Sequence, residues 1–402
     1  MFNIKRSIIM FLFPCLIIGC ASGTSSSIEK EEVAIKYFCA SGLGDRFFSN
    51  LESVVNDNSE KYHYSLTGVN KMDEADIVVG RSVNIKYGKV DKSLVNLVKE
   101  NVRKEISDIF VTEDGLIGVP FSLQVMEALI YDANVYHDVS RFNSFVDEVC
   151  ENRSKIIGTG LQYAPYFASG DSFGNGYFYK GEDGKYHSNI INNRSLLLEM
   201  YNFFKDYPLD YGGDPLMYHD HNSVGVYSTN WLRLVDDVFK EDGYTFSLAP
   251  LPILDLESRV IKPLNNIDVL YLTKGEKTQH SDEVLNPIFG ELYNVKVQLT
   301  LINNTDNGYL PIKASAYDSP EAVSEKKSMK TLIEGNNNVY YAFNRKTAEM
   351  SIFLYRVVAM LQIEERSDVS YEEYIEMLLE YIDAGDYVSF FPFYKDIEVQ
   401  AL

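Results

Sequence analysis

The chain has 402 residues, of which 46% are hydrophobic, 24% charged and 13% aromatic. This length and apolar content suffice for one large or two medium-sized domains, and they exclude a disordered chain, a coiled coil and a disulfide miniprotein. Lys and Arg number 37 against 58 Asp and Glu, so the formal net charge is −21. Because an acidic surface repels phosphate backbones, we expect no nucleic-acid partner.

The first nineteen residues have the pattern of a secretory signal peptide. Lys5 and Arg6 precede an apolar run over residues 7–18, which is shorter than the roughly 20 residues that a membrane-spanning helix needs. The run ends at Gly19-Cys20, which resembles a bacterial lipobox and implies that Cys20 carries acyl chains such as palmitate after cleavage. Ser, Gly and Thr then dominate, so residues 20–29 are interpreted as the lipidated cysteine and a flexible tether. An ordinary signal peptide with an incidental cysteine is the alternative.

Strand and helix patterns alternate along the rest of the chain. Apolar runs and alternation predict strands at residues 33–39, 64–69, 76–79, 115–120, 128–131, 155–161 and 224–228. Apolar residues at helical spacing predict helices at residues 46–55, 94–102, 195–207, 231–240 and 347–364. This alternation favours parallel sheets with helices on both faces. A body of about 370 residues exceeds a comfortable single core, so we expect two α/β lobes.

The sequence carries no strong catalytic or metal motif. It lacks the Walker loop, G-x-G-x-x-G and H-E-x-x-H. His219 and His221 form an i,i+2 pair in a polar, loop-like segment, so a solvated loop is favoured over a metal site. We therefore predict no catalytic residue, no metal and no cofactor. A glycosidase-type carboxylate pair stays open, because Asp and Glu are abundant and nothing singles out a pair. Cys39 is interpreted as a buried apolar residue, and a Cys39–Cys150 bridge also stays open.

Six separated segments, taken in order, resemble the extracytoplasmic solute-binding lipoproteins of bacterial ABC importers, specifically the maltose-binding-like sugar family. The segments are residues 73–79, 115–132, 164–186, 224–231, 248–272 and 308–312. The resemblance implies an α/β protein with the two-lobed, type II periplasmic-binding-protein-like fold, a hinge of three crossovers and a ligand cleft between the lobes. It implies one lobe at residues 30–122 plus 269–322, and a second at residues 123–268 plus 323–402.

The same resemblance implies the ligand-binding residues. Gln124 stands where maltose binders carry a ligand-bonding acid, and an amide also donates to and accepts from sugar hydroxyls. Tyr166 matches a sugar-contacting tyrosine, Trp231 matches a stacking tryptophan, and Tyr163 is assigned to the same site. The alternatives are a polar hinge contact for Gln124, packing for Tyr166 and a helix-start anchor for Trp231.

Arg81 and Asn84 complete the predicted set, because they follow the strand at residues 76–79 on one loop. An inward-pointing Arg81 would suit a ligand with an acid or phosphate group, since a guanidinium grips either one bidentately. A solvated charge at the rim is the alternative for Arg81. Four positions depart from the maltose pattern, namely Gly80, Val83, Ala164 and Leu354. The resemblance therefore implies a sugar without indicating maltose.

These observations predict a monomeric, non-enzymatic solute receptor. It would capture a small polar ligand, a mono- or oligosaccharide, and deliver it to the permease subunits of an ABC transporter. The acyl anchor would hold it at the cell membrane on the extracytoplasmic face, periplasmic or at the cell surface. A secreted lipoprotein hydrolase, and an adhesion or sensing protein with a degenerate cleft on the same scaffold, are the alternatives.

Overall fold

The computed structural model describes most of the first 130 residues after the tether and a large part of the rest. The described residues are 30–40, 43–82, 89–113, 115–125, 128–151, 156–158, 166, 178–188, 193–205, 209–210, 224–227, 246–303, 308–334, 340–342, 370, 373, 376 and 380. Within these ranges helices and strands alternate, which confirms the α/β prediction. None of the described helices has the length and hydropathy that a membrane-spanning segment requires.

The strands of the described residues follow one another along the chain. They are β1 (Glu31–Cys39), β2 (Tyr62–Gly68), β3 (Ile77–Arg81), β4 (Val111–Thr112), β5 (Gly115–Leu116), β6 (Val119–Val125), β7 (Ala128–Asp132), β8 (Ile156–Gly158), β9 (Phe178–Lys180), β10 (Tyr186–Ser188), β11 (Leu209–Asp210), β12 (Val224–Tyr227), β13 (Phe246–Ala249), β14 (Leu254–Asp255), β15 (Val260–Ile261), β16 (Leu264–Lys274), β17 (Leu310–Pro311) and β18 (Tyr340–Ala342).

The α-helices in the described residues are numbered in the same way. They are α1 (Asp45–Asn58), α2 (Val95–Asn101), α3 (Lys104–Phe110), α4 (Phe142–Glu151), α5 (Arg194–Lys205), α6 (Asp282–Glu291), α7 (Val295–Ile302) and α8 (Lys330–Glu334). Short 3₁₀ turns occupy Met72–Glu74, Lys92–Leu94, Ala314–Asp318 and Ser324–Met329.

The larger sheet has the strand order β17-β6-β16-β3-β1-β2, and β18 pairs with one end of β16. Strands β1, β2 and β3 are parallel, whereas β16 runs antiparallel to both of its neighbours, β3 and β6. The sheet is therefore mixed rather than wholly parallel as predicted. The reason lies in the chain path: the chain leaves at the carboxyl end of β6 and returns at that same edge, so β16 has to run back the other way.

Burial explains why these segments form strands and where they lie. Every residue of β6 is buried, as a strand covered on both faces requires. In β1 the buried residues Val33, Ile35 and Tyr37 alternate with exposed or partly exposed ones, which is the two-residue period of a strand with one covered face. Helix α1 covers this part of the sheet with buried residues at helical spacing. Those residues are Phe47, Phe48, Leu51, Val54 and Val55.

A second sheet has the strand order β11-β8-β12-β7-β13. Strand β7 begins at Ala128, three residues after β6 ends at Val125, so the chain passes from the first sheet to the second directly after β6. It returns between β13 and β16, where β14 and β15 form a small hairpin. The lobe boundaries at 122/123 and 268/269 remain predictions, and the strands of the larger sheet run a few residues past them.

Candidate functional site at the crossover edge

The carboxyl ends of β3 and β6 lie at the edge where the chain crosses to the second sheet, and β16 enters between them. Ligands of open α/β sheets bind outside this edge. The strand register opposes Leu270 to Arg81 and Asp268 to Gln124. Side chains two residues apart on a strand share a face, so this register places Arg81, Asp268 and Gln124 on one face of the sheet.

These side chains bond to one another. The Nε of Arg81 donates a hydrogen bond to Asp268 Oδ2, and its Nη2 donates to Gln124 Oε1 at 3.3 Å. Ser82 Oγ donates to the other carboxylate oxygen, Asp268 Oδ1, at 3.1 Å. The same Ser82 oxygen accepts from the backbone N–H of Val269 at 2.9 Å. We call Arg81, Ser82, Gln124 and Asp268 the crossover cluster.

Burial differs sharply within the crossover cluster. Gln124 and Asp268 are each only 1% exposed, and Ser82 is also buried. The Arg81 side chain, in contrast, is 40% exposed. A buried carboxylate is costly unless it is paired and hydrogen-bonded, and Arg81 and Ser82 provide that pairing. The cluster therefore pairs a partly exposed arginine with a buried aspartate that balances its charge.

Sequence reasoning missed Asp268, although it identified Arg81 and Gln124. A signal was present: Asp268 interrupts the apolar run that forms β16, and a carboxylate there needs a partner on a neighbouring strand. The partner could not be found without the register, because Arg81 and Asp268 are 187 positions apart. The structure also brings Gln124 beneath Arg81, so Gln124 orients the guanidinium.

Tyr166 is 1% exposed, and its hydroxyl donates a hydrogen bond to the Pro252 carbonyl at 2.8 Å. Its ring packs edge-on against Phe142, with ring centroids 5.7 Å apart. Burial raises the pKa of this tyrosine well above its usual value. These contacts correspond to the packing alternative that the sequence left open for Tyr166. Its hydroxyl bonds to the backbone inside the protein.

The structure explains one departure from the maltose pattern. The buried ring of Tyr271 lies against Gly80, where a Cβ would come within 2.3 Å of the ring. It lies equally close to Gly118 and packs on Phe110, with centroids 5.1 Å apart. Position 80 therefore has no room for the aromatic side chain expected from the pattern, because Tyr271 already fills that space.

The remaining predicted residues fall outside the described part of the chain. They are Cys20, Asn84, Tyr163 and Trp231, together with the departures Val83, Ala164 and Leu354. Cys39 lies partly buried at the end of β1. Among the described residues, His, Cys, Asp and Glu do not form a group of three or more that could hold a metal ion.

A separate cavity of about 320 Å³ lies between α1, β2 and α6. At its wall Lys61 Nζ and Glu283 Oε1 form an exposed ion pair at 2.5 Å. The cavity adjoins Tyr62 at the start of β2, whereas the crossover cluster follows the carboxyl ends of the parallel strands β1, β2 and β3. The two features therefore lie at opposite ends of the sheet, and the cavity contains none of the predicted ligand-binding residues.

Comparison with solved structures shows that this chain shares its fold with maltodextrin-binding and other sugar-binding proteins. The maltodextrin-binding protein MalE1 of L. casei BL23 matches with a TM-score of 0.62 and 12% identity, over 88% of this chain and 99% of that one. MalE of Xanthomonas citri matches with a TM-score of 0.61 and 11% identity, over 91% and 100%. The maltotriose-binding protein of Thermus thermophilus, solved with maltotriose, matches with a TM-score of 0.56 and 13% identity, over 88% of this chain and 100% of that one.

The likeness lies in structure and not in sequence. No family profile matches the chain, and no curated protein matches it. The described architecture, with two sheets joined by crossovers at one edge, agrees with the two-lobed α/β fold that the sequence motifs predicted.

Proposed function

We propose that this protein is a lipid-anchored extracytoplasmic receptor that captures a carbohydrate between its two lobes and delivers it to an ABC permease. The observation that carries the proposal is the shared fold, which extends over 88% of this chain and 99% of a maltodextrin-binding protein. The three neighbours named above are all binding proteins, and one of them was solved with maltotriose bound. The proposed role is therefore binding rather than catalysis.

The crossover cluster supplies polar groups suited to a sugar. Arg81, whose side chain is 40% exposed, would offer N–H donors to hydroxyl oxygens, while Gln124 and Asp268 hold its guanidinium in place. Trp231 and Tyr163, on the second predicted lobe, would add an aromatic surface for sugar rings. Asn84, on the loop after Arg81, would add an amide.

Capture follows from two lobes that hinge on the crossovers. A ligand that contacts both lobes binds the closed form more tightly than the open one, so it shifts the population towards closure. The closed form would then dock on the permease, where other subunits hydrolyse ATP. Cleavage before Cys20 and acylation of that cysteine would keep the receptor at the extracytoplasmic face of the membrane, close to its permease.

Ligand binding is the decisive test. The purified protein is screened by thermal shift against neutral sugars, acidic sugars, sugar phosphates and polyols, and each hit is measured by calorimetry, because a ligand of the native state raises the melting temperature. Gln124→Ala and Trp231→Ala should each weaken the best hit about tenfold, or about 1.4 kcal/mol. Gln279→Ala is the matched control, since this glutamine is exposed and bonds only the nearby Lys277 carbonyl among the described contacts.

The outcomes separate the alternatives. Absence of a shift with every class of compound would contradict the receptor, and release of product from a glycoside or ester would indicate the hydrolase instead. Capture of a protein partner without any small-molecule shift would favour the adhesion or sensing protein.

The anchor is tested separately from the ligand. Expressed with its own leader in a bacterium, the wild-type protein should fractionate with membranes, and mass spectrometry should find residue 20 as an acylated amino terminus. Cys20→Ser should release the protein from the membrane fraction without changing its affinity for the ligand. A mature wild-type chain that retains residues 1–19 and carries no acyl group would contradict the anchor but leave the receptor proposal in place.

A further inference from the structure

We propose that Asp268 is a specificity-determining residue, which makes this site select uncharged saccharides over their acidic and phosphorylated counterparts. The inference rests on the proposed function, because it names the charge class of the ligand at the same site. It starts from Arg81, the one member of the crossover cluster with substantial exposure.

Arg81 already uses one edge of its guanidinium inside the protein. A guanidinium grips a carboxylate or phosphate best with two parallel N–H groups. In this structure Nε donates to Asp268 and Nη2 donates to Gln124, so the Nε–Nη2 edge is occupied inside the protein. An acid or phosphate group can therefore no longer bind Arg81 through this edge, whereas a sugar hydroxyl needs only one of the N–H groups that remain.

The charge of Arg81 is also balanced within the protein. Asp268 is 1% exposed and directly bonded to Arg81, so a negative charge lies immediately behind the only cation of the crossover cluster. Ser82 donates to the second oxygen of Asp268, so both carboxylate oxygens are hydrogen-bonded within the cluster. An incoming anion would meet a neutral ion pair instead of a free cation, and in this partly desolvated place it would feel Asp268 as a like charge.

Asp268 acts through Arg81 rather than on the ligand. Both of its carboxylate oxygens accept hydrogen bonds from the cluster, and its side chain has almost no exposed surface. Asp268 is therefore a positioning residue that also sets the charge of the site. The ion pair therefore disfavours the role that the sequence left open for Arg81, which was to bind an acid or phosphate group of the ligand.

The test compares matched pairs of probes by calorimetry. The pairs are glucose with glucuronate, galactose with galacturonate, maltose with maltobionate, and glucose with glucose 6-phosphate. For any pair with measurable binding, the wild-type protein should bind the neutral member at least tenfold more tightly. Asp268→Asn should lower that ratio at least fivefold, mainly through tighter binding of the acidic member. Asp73→Asn is the control, because Asp73 pairs with Lys277 on the exposed surface and should leave the ratio unchanged.

A double variant keeps the proposal testable even if the single Asp268→Asn variant does not fold. Arg81→Gln combined with Asp268→Asn removes both charges, so the net charge of the pair stays zero. The ratio of neutral to acidic binding should then stay within about threefold of wild type, while the affinity for both probes falls. Tighter wild-type binding of an acidic member would overturn this inference and leave the receptor intact, as would an unchanged ratio in a folded Asp268→Asn protein. Absence of binding for all neutral and acidic probes would instead overturn the proposed function, and this inference with it.

Discussion

Two groups of polar side chains lie on the larger sheet, and they use their hydrogen bonds differently. At the outer strand β2, three residues of α1 and the turn after it bond to the backbone: Ser59 Oγ accepts from Tyr62 N–H at 3.0 Å, and Glu52 Oε2 accepts from Leu66 N–H at 2.6 Å. Between them Asn56 accepts from the N–H of Tyr64 and donates to its carbonyl, at 2.6 and 2.8 Å. At the crossover edge the side chains bond mainly to one another.

The difference separates a structural role from a functional one. Glu52 and Asn56 of α1, with Ser59 directly after the helix, bond to alternate residues of β2. The outward N–H groups of this edge strand would otherwise be a template for pairing with another chain. Their bonding capacity is directed at the backbone. The crossover cluster satisfies its buried members internally and still leaves Arg81 40% exposed, so it keeps a charged donor residue for a ligand.

The largest expected effect is at Gly80, which directly precedes Arg81 in β3 and lies against the ring of Tyr271. Gly80→Leu should lower the free energy of unfolding by about 3 kcal/mol, because its side chain would collide with the buried Tyr271 ring. Urea denaturation measures the change. Gly290→Ala is the control, since a Cβ there meets no atom within 4 Å in α6, and alanine should stabilise a helix position by about 0.5–1 kcal/mol. A Gly80→Leu protein as stable as wild type would show that Tyr271 does not fill this space.

A smaller effect is expected at the β2 edge. Asn56→Ala should cost about 2 kcal/mol, because it leaves both the N–H and the carbonyl of Tyr64 without their side-chain partner. Ligand affinity should not change, which distinguishes this edge from the crossover cluster. Asn50→Ala, on the same helix with one 3.3 Å bond to the Lys296 carbonyl, should cost less than about 0.5 kcal/mol. Equal losses in the two variants would mean that the edge contacts contribute nothing specific.

Much of the fold could be predicted because its signals are local. Alternation in β1 and helical spacing in α1 are visible within ten to fifteen residues, and the structure confirms both elements. The direction of β16 was not predictable, because it depends on where the chain re-enters the sheet. Asp268 was missed for the same reason: its partner is set by strand register, which no local pattern encodes.

Tyr166 offers a third, weaker test of the same distinction, since its hydroxyl bonds to the backbone as the β2 group does. Tyr166→Phe should lower the free energy of unfolding by about 1 kcal/mol through loss of the bond to the Pro252 carbonyl. Affinity for the best sugar should stay within twofold of wild type. A tenfold loss of affinity at unchanged stability would instead assign Tyr166 to the ligand site.

The smallest effect concerns pH and Asp91, another side chain that serves the structure. The Ser93 backbone N–H and the Asn286 amide hold the pKa of this carboxyl below its usual value. A lowered folded-state pKa contributes stability above about pH 4, the unfolded value, and that contribution is lost as pH falls through the folded-state pKa. Asp91→Asn keeps an acceptor for Ser93 but cannot titrate. The stability difference between the two proteins should therefore shrink as pH is lowered from about 6 to about 3. A difference that is constant over this range would contradict the preference of the site for the charged carboxylate.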